Sequence, residues 1–142
     1  MEPVYRFDIT VPAEAVDENR HANNVAYVQW MQAAAIQHSA AAGCTEMTRA
    51  LGAAWVVRTH RIEYLNPAFA GDAVTVLTWV ANFRRVRSLR RYKFIRAADQ
   101  TVLAQGETDW VFVAAATGRP RAIPDEIKNA FGTAVEEAVP LF

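Results

Sequence analysis

The sequence predicts an α+β fold in which one curved antiparallel sheet wraps around a long central helix. Residues 22–45 form a helical segment without Asp, Glu, Lys or Arg, so most of its surface must be covered. Long strand-like segments follow without alternating helices, and one sheet covers most sides of a helix only by curving around it. The 142 residues, 52% of them hydrophobic, are predicted to form a single domain over residues 1–142.

The first predicted element is a strand near the N-terminus. Residues 5–11 alternate apolar and polar side chains, which is the period-two pattern of a strand with one solvent-exposed face. The strand ends at Pro12, because proline lacks the backbone N–H that a sheet requires. Residues 13–20 are polar and without periodicity, which indicates a connecting loop.

A long helix is predicted next, with both ends marked in the sequence. Asn23 or Asn24 can serve as the N-cap, and Gly43 stands where a glycine commonly ends a helix. The interior is rich in alanine and carries several glutamines, an amide content that argues against a membrane span. We therefore expect a buried helix and no membrane association.

The following part of the chain is predicted to be mostly strand. A short polar piece at residues 46–49 leads to four long segments separated by turn residues, and their spacing suits antiparallel hairpins. These segments cover residues 54–65, 73–83, 88–96 and 102–113. After them, Pro124 opens an amphipathic helix that has apolar residues at a spacing of four: Ile127, Phe131 and Val135.

Composition disfavours several classes of function. Fifteen Lys and Arg balance fifteen Asp and Glu, so the net charge gives no reason to expect a nucleic-acid partner. The single cysteine, Cys44, excludes an intramolecular disulfide, which suits a reducing compartment. The N-terminus lacks the basic start and apolar core of a signal peptide, and we therefore expect a cytoplasmic protein.

No metal site and no cofactor are expected. His60 and Glu63 do not have the spacing of metal ligands, and His38, inside the predicted helix, is expected to be a core or interface histidine. Cys44 follows the C-terminus of that helix, where the helix dipole raises the pKa of a thiol and disfavours a nucleophilic thiolate.

The strongest candidate for chemistry is the loop before the long helix. Asp17, Asn19 and His21 stand at a spacing of two, so an extended loop would project them to one side. The first N–H groups of the helix, at Asn24 and Val25, lack partners within the helix and stabilise negative charge. A thioester or ester carbonyl over these donors would meet Asp17 as nucleophile or base. Loop formation and capping alone would also explain these residues.

This loop resembles a known family motif. The pattern Asp17-x-Asn19-x-His21-x-Asn23-Asn24-Val25-x-Tyr27, followed by Trp30, resembles the acyl-ACP thioesterase motif. Its place before a long helix is similar to the 4-hydroxybenzoyl-CoA thioesterase family, and both families have the hotdog fold. Weaker signatures of the same resemblance are Tyr64-x-x-Pro67-x-x-x-Gly71-Asp72 and Arg87-Ser88.

The resemblance implies roles for individual residues. Asp17 matches the catalytic carboxylate, and Asn19 and His21 match an asparagine and a histidine of the acyl-ACP branch. The backbone N–H of Asn24 matches the group that binds the thioester carbonyl. The residues expected to contact the substrate are Asn23, Val25, Tyr27, Arg87, Ser88, Arg90 and Arg91.

A cluster of basic residues is the second candidate site. Seven of the fifteen cationic residues fall within thirteen positions, interleaved with two aromatic residues: Arg84, Arg85, Arg87, Arg90, Arg91, Lys93 and Arg96. Such a cluster could hold the phosphates of coenzyme A or bind RNA. A solvated strand face that prevents edge-to-edge aggregation would give the same pattern.

The sequence thus predicts an acyl-CoA thioesterase that releases a free acid and a thiol. The expected substrate is acyl-CoA or acyl-ACP, and the open sheet edges predict a homodimer or homotetramer with the site between two chains. Two alternatives stay open. One is a hotdog 3-hydroxyacyl thioester dehydratase, and the other is a non-enzymatic module that binds RNA or protein through residues 84–96.

Overall fold

The computed structural model describes residues 2–134 of the chain. The strands in this part are β1 (Tyr5–Thr10), β2 (Ala53–Tyr64), β3 (Ala73–Phe83), β4 (Arg87–Arg96) and β5 (Val102–Ala114). The helices are α1 (Asn24–Ala41), α2 (Cys44–Ala50) and α3 (Asp125–Phe131), and a short 3₁₀ turn covers Ala13–Ala15.

The five strands form one antiparallel sheet in the order β1-β3-β4-β5-β2. The register shifts between Val57 and Thr59 in β2 and between Val80 and Asn82 in β3. Irregularities of this kind bend a strand and increase its twist, which helps a sheet to close around a helix. The predicted α+β architecture is confirmed.

Helix α1 packs against the inner face of this sheet. Buried residues of α1 and of β3, β4 and β5 form one core, which includes Met31, Val76, Phe94 and Ala104. Gly106 in β5 lies beneath Met31, and a Cβ atom at this glycine would come within 3.2 Å of the Met31 Cε atom. The missing side chain therefore lets the helix approach the sheet closely.

One side of α1 is open to solvent. Val25 is 66% exposed and Ile36 is 63% exposed, and Gln29 and Gln32 between them are also exposed. These four residues recur at helical spacing and form a single uncharged stripe, called here the α1 stripe. The sequence predicts that α1 is covered on most sides, and the α1 stripe is the side that the rest of the described chain does not cover.

The structure adds helix α2, which the sequence interpretation treated as a polar connection. Gly43 adopts a left-handed conformation with a φ of 79°, which ends α1 and starts α2 directly. Seven residues are too few for a hydrophobic period to be recognised. The strand predictions agree with the structure to within two residues, and helix α3 is confirmed as far as Phe131. Val135 lies outside the described residues.

No helix in residues 2–134 is long and apolar enough to cross a membrane.

Candidate active site

Helix α1 begins with a side-chain cap at Asn23. The Asn23 Oδ1 atom accepts a hydrogen bond from the Ala26 N–H at 2.8 Å, and the Asn23 Nδ2 atom donates to the Ala15 carbonyl at 3.0 Å. Of the two asparagines considered as caps, Asn23 is therefore the one used. Both polar atoms of its side chain are engaged within the protein, which gives Asn23 a structural role, and its contact with substrate stays a prediction.

The first backbone donors of α1 are available at the protein surface. Asn24 and Val25 are exposed, and their N–H groups make no hydrogen bond to groups outside the helix in residues 2–134. The carbonyl of Asn24 accepts a hydrogen bond from the Tyr64 hydroxyl at 3.0 Å. This bond fixes the start of α1 to the end of β2 and leaves the positive end of the helix dipole open.

Asp17 organises the loop that leads into the helix. Its N–H donates to the His21 carbonyl, and its own carbonyl accepts from the Arg20 N–H. Its Oδ1 atom accepts from the Asn19 N–H at 2.9 Å, while Oδ2 has no hydrogen-bond partner among the described residues. One carboxylate oxygen thus stabilises the turn, and the other is free to meet a ligand.

Asn19 and His21 lie in the same turn and are exposed. The His21 ring contacts Phe69 edge-on, with the ring centroids 5.4 Å apart. Neither side chain forms a hydrogen bond with the Asp17 carboxylate within residues 2–134. The loop therefore gathers the three predicted residues without joining them in a hydrogen-bonded triad.

Tyr27 is placed in the core, although the sequence interpretation made it a substrate contact. Its ring packs edge-on against Tyr64 and Phe94, with centroid distances of 5.3 Å and 5.2 Å. Burial raises the pKa of Tyr27 to about 12. This side chain supports the start of α1 from below.

The predicted basic cluster is divided between the two faces of the sheet, because side chains alternate along β4. Arg87 and Arg91 lie on the outer face. Arg87 forms a two-pronged ion pair with Asp109, and the Arg91 Nε atom lies 3.7 Å from a carboxylate oxygen of Glu107. Arg90 points to the inner face and is buried. The cluster is thus not one surface, which weakens the RNA-binding alternative.

Arg90 and Ser88 line a cavity of about 400 Å³ under the inner face. The C-terminal half of α1, helices α2 and α3, and strands β2 and β5 complete its walls. Sequence reasoning missed this cavity. The available signal was the alternation in β4, which places Arg90 on the same face as the core residues Tyr92 and Phe94.

The lesser candidates take structural positions. Cys44 is buried at the start of α2, and this burial raises its pKa to about 11. The predicted direction is therefore right, and burial is its largest cause. The His60 Nδ1 atom contacts the Thr108 hydroxyl at 2.9 Å. No group of three or more potential metal ligands occurs within the described part of the chain.

The sequence model of the thioesterase-like superfamily matches residues 11–131, which contain the loop, α1 and the whole sheet except β1. The chain belongs to this superfamily. It is a thioester hydrolase, as its family and the thioesterases among its structural neighbours indicate. No curated protein sequence matches the chain.

Solved structures establish the hotdog fold of this superfamily member. A 1,4-dihydroxy-2-naphthoyl-CoA thioesterase from Synechocystis is 17% identical with a TM-score of 0.81, and the match covers 90% of this chain and 95% of that one. A Staphylococcus aureus protein in complex with CoA is 17% identical with a TM-score of 0.80, covering 89% and 80%.

A 12:0-ACP thioesterase from Umbellularia californica is 22% identical with a TM-score of 0.80. The match covers 96% of this chain and 55% of that one. The hotdog architecture is thus common to relatives whose thioester carriers differ.

Proposed function

We propose that this thioester hydrolase is an acyl-CoA thioesterase whose reaction takes place at the N-terminus of α1. The supporting observation is that, within residues 2–134, neither the Oδ2 atom of Asp17 nor the N–H groups of Asn24 and Val25 have a hydrogen-bond partner, and the Asp17 turn leads into the start of this helix. A carboxylate and an oxyanion site are the two groups that thioester hydrolysis requires.

In this reaction the carbonyl oxygen of the thioester accepts hydrogen bonds from the helix N–H groups. Asp17 either attacks the carbonyl carbon or takes a proton from a water molecule that attacks it. The C–S bond then breaks and the sulfur leaves as the thiol after protonation. In the water route the acyl group is released directly as a free acid. In the nucleophilic route it is first bound to Asp17 as an anhydride, which a water molecule hydrolyses to the free acid. Asn19 and His21 orient the substrate or carry the proton.

The exposed arginines support coenzyme A as the carrier. Arg84 and Arg85 lie in the turn between β3 and β4 and are exposed, and Arg87 and Arg91 are partly exposed on the outer face. Arginine suits phosphate groups because its guanidinium donates two parallel hydrogen bonds. The S. aureus neighbour that was solved with CoA agrees with this choice of carrier.

A homodimer would complete the site. Strand β2 is an edge of the sheet, and the α1 stripe exposes apolar and amide groups without charge. The stripe is symmetrical about a point between Gln29 and Gln32. An antiparallel pair of α1 helices would therefore place Val25 against the partner's Ile36.

The test is hydrolysis of a panel of acyl-CoA substrates, followed by detection of free thiol. Asp17→Asn is expected to lower kcat/KM by about 100-fold or more, since it removes a positioned catalytic group. Glu18→Gln, which neutralises the neighbouring exposed carboxylate, is the matched control and should retain activity. Equal rates for wild type and a folded Asp17→Asn variant would contradict the proposal. Hydration of an enoyl thioester without thiol release would indicate the dehydratase instead.

A further inference from the structure

Arg90 is a buried cation without an acidic partner in the part of the chain that the structure describes. The residue is 4% exposed and faces α1 from the inner side of β4. Its Nη1 atom contacts His38 Nδ1 at 2.8 Å and donates to the Thr78 hydroxyl at 3.1 Å, and its guanidinium lies 5.2 Å from the centre of the Phe131 ring. All three partners are neutral, and Arg90 has no ion pair with a carboxylate in residues 2–134.

His38 cannot supply the missing negative charge. Arginine stays protonated in proteins, so Arg90 must be the donor and His38 Nδ1 the acceptor of their hydrogen bond. Burial, together with the Arg90 charge, lowers the pKa of His38 to about 3. The histidine is thus neutral at ordinary pH. A buried cation with neutral partners alone is costly, which is why buried charges are normally paired.

The cavity beside Arg90 offers donors and apolar walls. Its apolar lining comes from Ala35, Ile36, Trp55, Trp110 and Phe131. None of its lining residues among those that the structure describes carries a carboxylate. Its other polar lining residues carry hydroxyl groups: Ser39, Thr45, Thr48 and Ser88.

Three buried polar atoms of cavity-lining residues have no hydrogen-bond partner among the described residues. They are the hydroxyl oxygen of Thr48, a residue only 7% exposed, and the indole nitrogens of Trp55 and Trp110. Buried polar groups in proteins are normally hydrogen-bonded, so their isolation indicates a missing acceptor. The positive charge of Arg90 and the unpaired donors would both be satisfied by a ligand group that is negatively charged and accepts hydrogen bonds.

We propose that this cavity binds a carboxylate on an apolar chain, with the guanidinium of Arg90 as its counter-charge. A carboxylate matches arginine because its two oxygens accept parallel hydrogen bonds. The apolar walls then hold the carbon chain, in the usual arrangement of a small-molecule site.

This assignment rests on the proposed function. In it, the bound carboxylate is the end of the acyl group that lies farthest from the thioester. Within one chain, Ile36 at the cavity lies about 18 Å along α1 from Asn24, at a rise of 1.5 Å per residue. In the proposed dimer, the partner's Val25 packs against Ile36. The reactive helix end of one subunit then lies beside the cavity of the other, so the substrate is a carboxyacyl thioester.

The test compares acyl-CoA substrates that differ only in a terminal carboxylate: hexanoyl-CoA with adipoyl-CoA, and octanoyl-CoA with suberoyl-CoA. Wild type should favour the carboxyacyl member of each pair by about 10- to 100-fold in kcat/KM, because a site built around a polar group rejects the analogue that lacks it. Arg90→Met, which keeps an apolar stem without charge, should abolish or reverse this preference.

Two further variants separate recognition from stability. Arg49→Met removes an exposed cation from α2 that does not line the cavity, and it should leave the preference unchanged. Thr48→Val removes one unpaired hydroxyl and should reduce the preference without removing the charge. If Arg90→Met does not fold, the wild-type comparison and Thr48→Val still test the inference.

A binding measurement distinguishes failure of this inference from failure of the proposed function. Free suberate should raise the Tm of wild type and not that of Arg90→Met, while octanoate should raise neither by a comparable amount. Hydrolysis of both substrate types without a carboxylate preference would overturn the inference and leave the thioesterase proposal standing. Arg90-dependent suberate binding without hydrolysis of any acyl-CoA would support the carboxylate site and contradict the proposed function.

Discussion

Asp17 uses its two carboxylate oxygens differently. One oxygen accepts the Asn19 N–H and holds the turn, and the other has no hydrogen-bond partner among the described residues. A structural and a chemical interpretation of this aspartate are therefore compatible. The turn restricts the carboxylate to a small range of positions, which is what a positioned nucleophile or base requires.

The buried His38 predicts a loss of stability in acid. Its pKa is about 3 in the folded protein against an ordinary value of 6.5, so the unfolded chain binds a proton in this range that the folded one does not. Stability therefore falls as pH falls from about 6.5 towards 3, by up to about 5 kcal/mol. Urea unfolding at pH 7, 5.5 and 4.5 measures this.

His38→Gln is the control for that pH dependence. Glutamine can still accept the Arg90 hydrogen bond but does not titrate. Its free energy of unfolding should change less over the same pH range. An equal pH dependence in both proteins would assign the effect to other groups.

The sequence identified some of these residues and not others. Asp17 and the asparagine cap were recognisable because short-range hydrogen bonds follow from spacing along the chain. The environment of Arg90 was not recognisable from the sequence, because it depends on the residues that α1 and α3 bring to the inner face of β4. The sequence interpretation assigned all seven cations to one cluster, although the two sides of a strand face different surroundings.

The elements of this fold differ in how clearly the sequence marks them. Strands β2 to β5 are ten or more residues long and are bounded by turn residues, so their positions were predicted closely. Helix α1 is marked by its asparagine cap and by Gly43. Helix α2 has only seven residues and shares Gly43 with α1. Its formation depends on packing against α1, β2 and α3, which local sequence does not show.

The cap of α1 can be tested at the level of the element. Asn23→Ala removes the bonds to Ala26 and Ala15 and should lower the free energy of unfolding by about 1–2 kcal/mol. Asn24→Ala keeps the cap and the backbone donors, and it should have little effect. Chemical denaturation of the three proteins gives the comparison. A similar loss in both variants would mean that the cap is not specific to Asn23.

At the scale of the whole molecule, the open stripe of α1 and the edge strand β2 predict self-association. Light scattering should show a dimer or a higher oligomer of even order. Ile36→Glu would bury a charge in the interface and should shift the protein towards monomer. Gln37→Glu is the control, because it introduces the same charge at the next residue of α1, which is exposed but lies outside the α1 stripe. A stable wild-type monomer at working concentrations would contradict the proposed assembly.

The bond between the Tyr64 hydroxyl and the Asn24 carbonyl joins the last residue of the edge strand to the first residue of α1. In the proposed dimer, the strand that meets the partner also braces the end of the helix where the thioester would bind. Dilution would therefore dissociate the neighbouring subunit from β2. It would also weaken the hydrogen bond by which Tyr64 at the end of this strand holds the start of α1. We expect the turnover rate per chain to depend on the concentration of the enzyme itself.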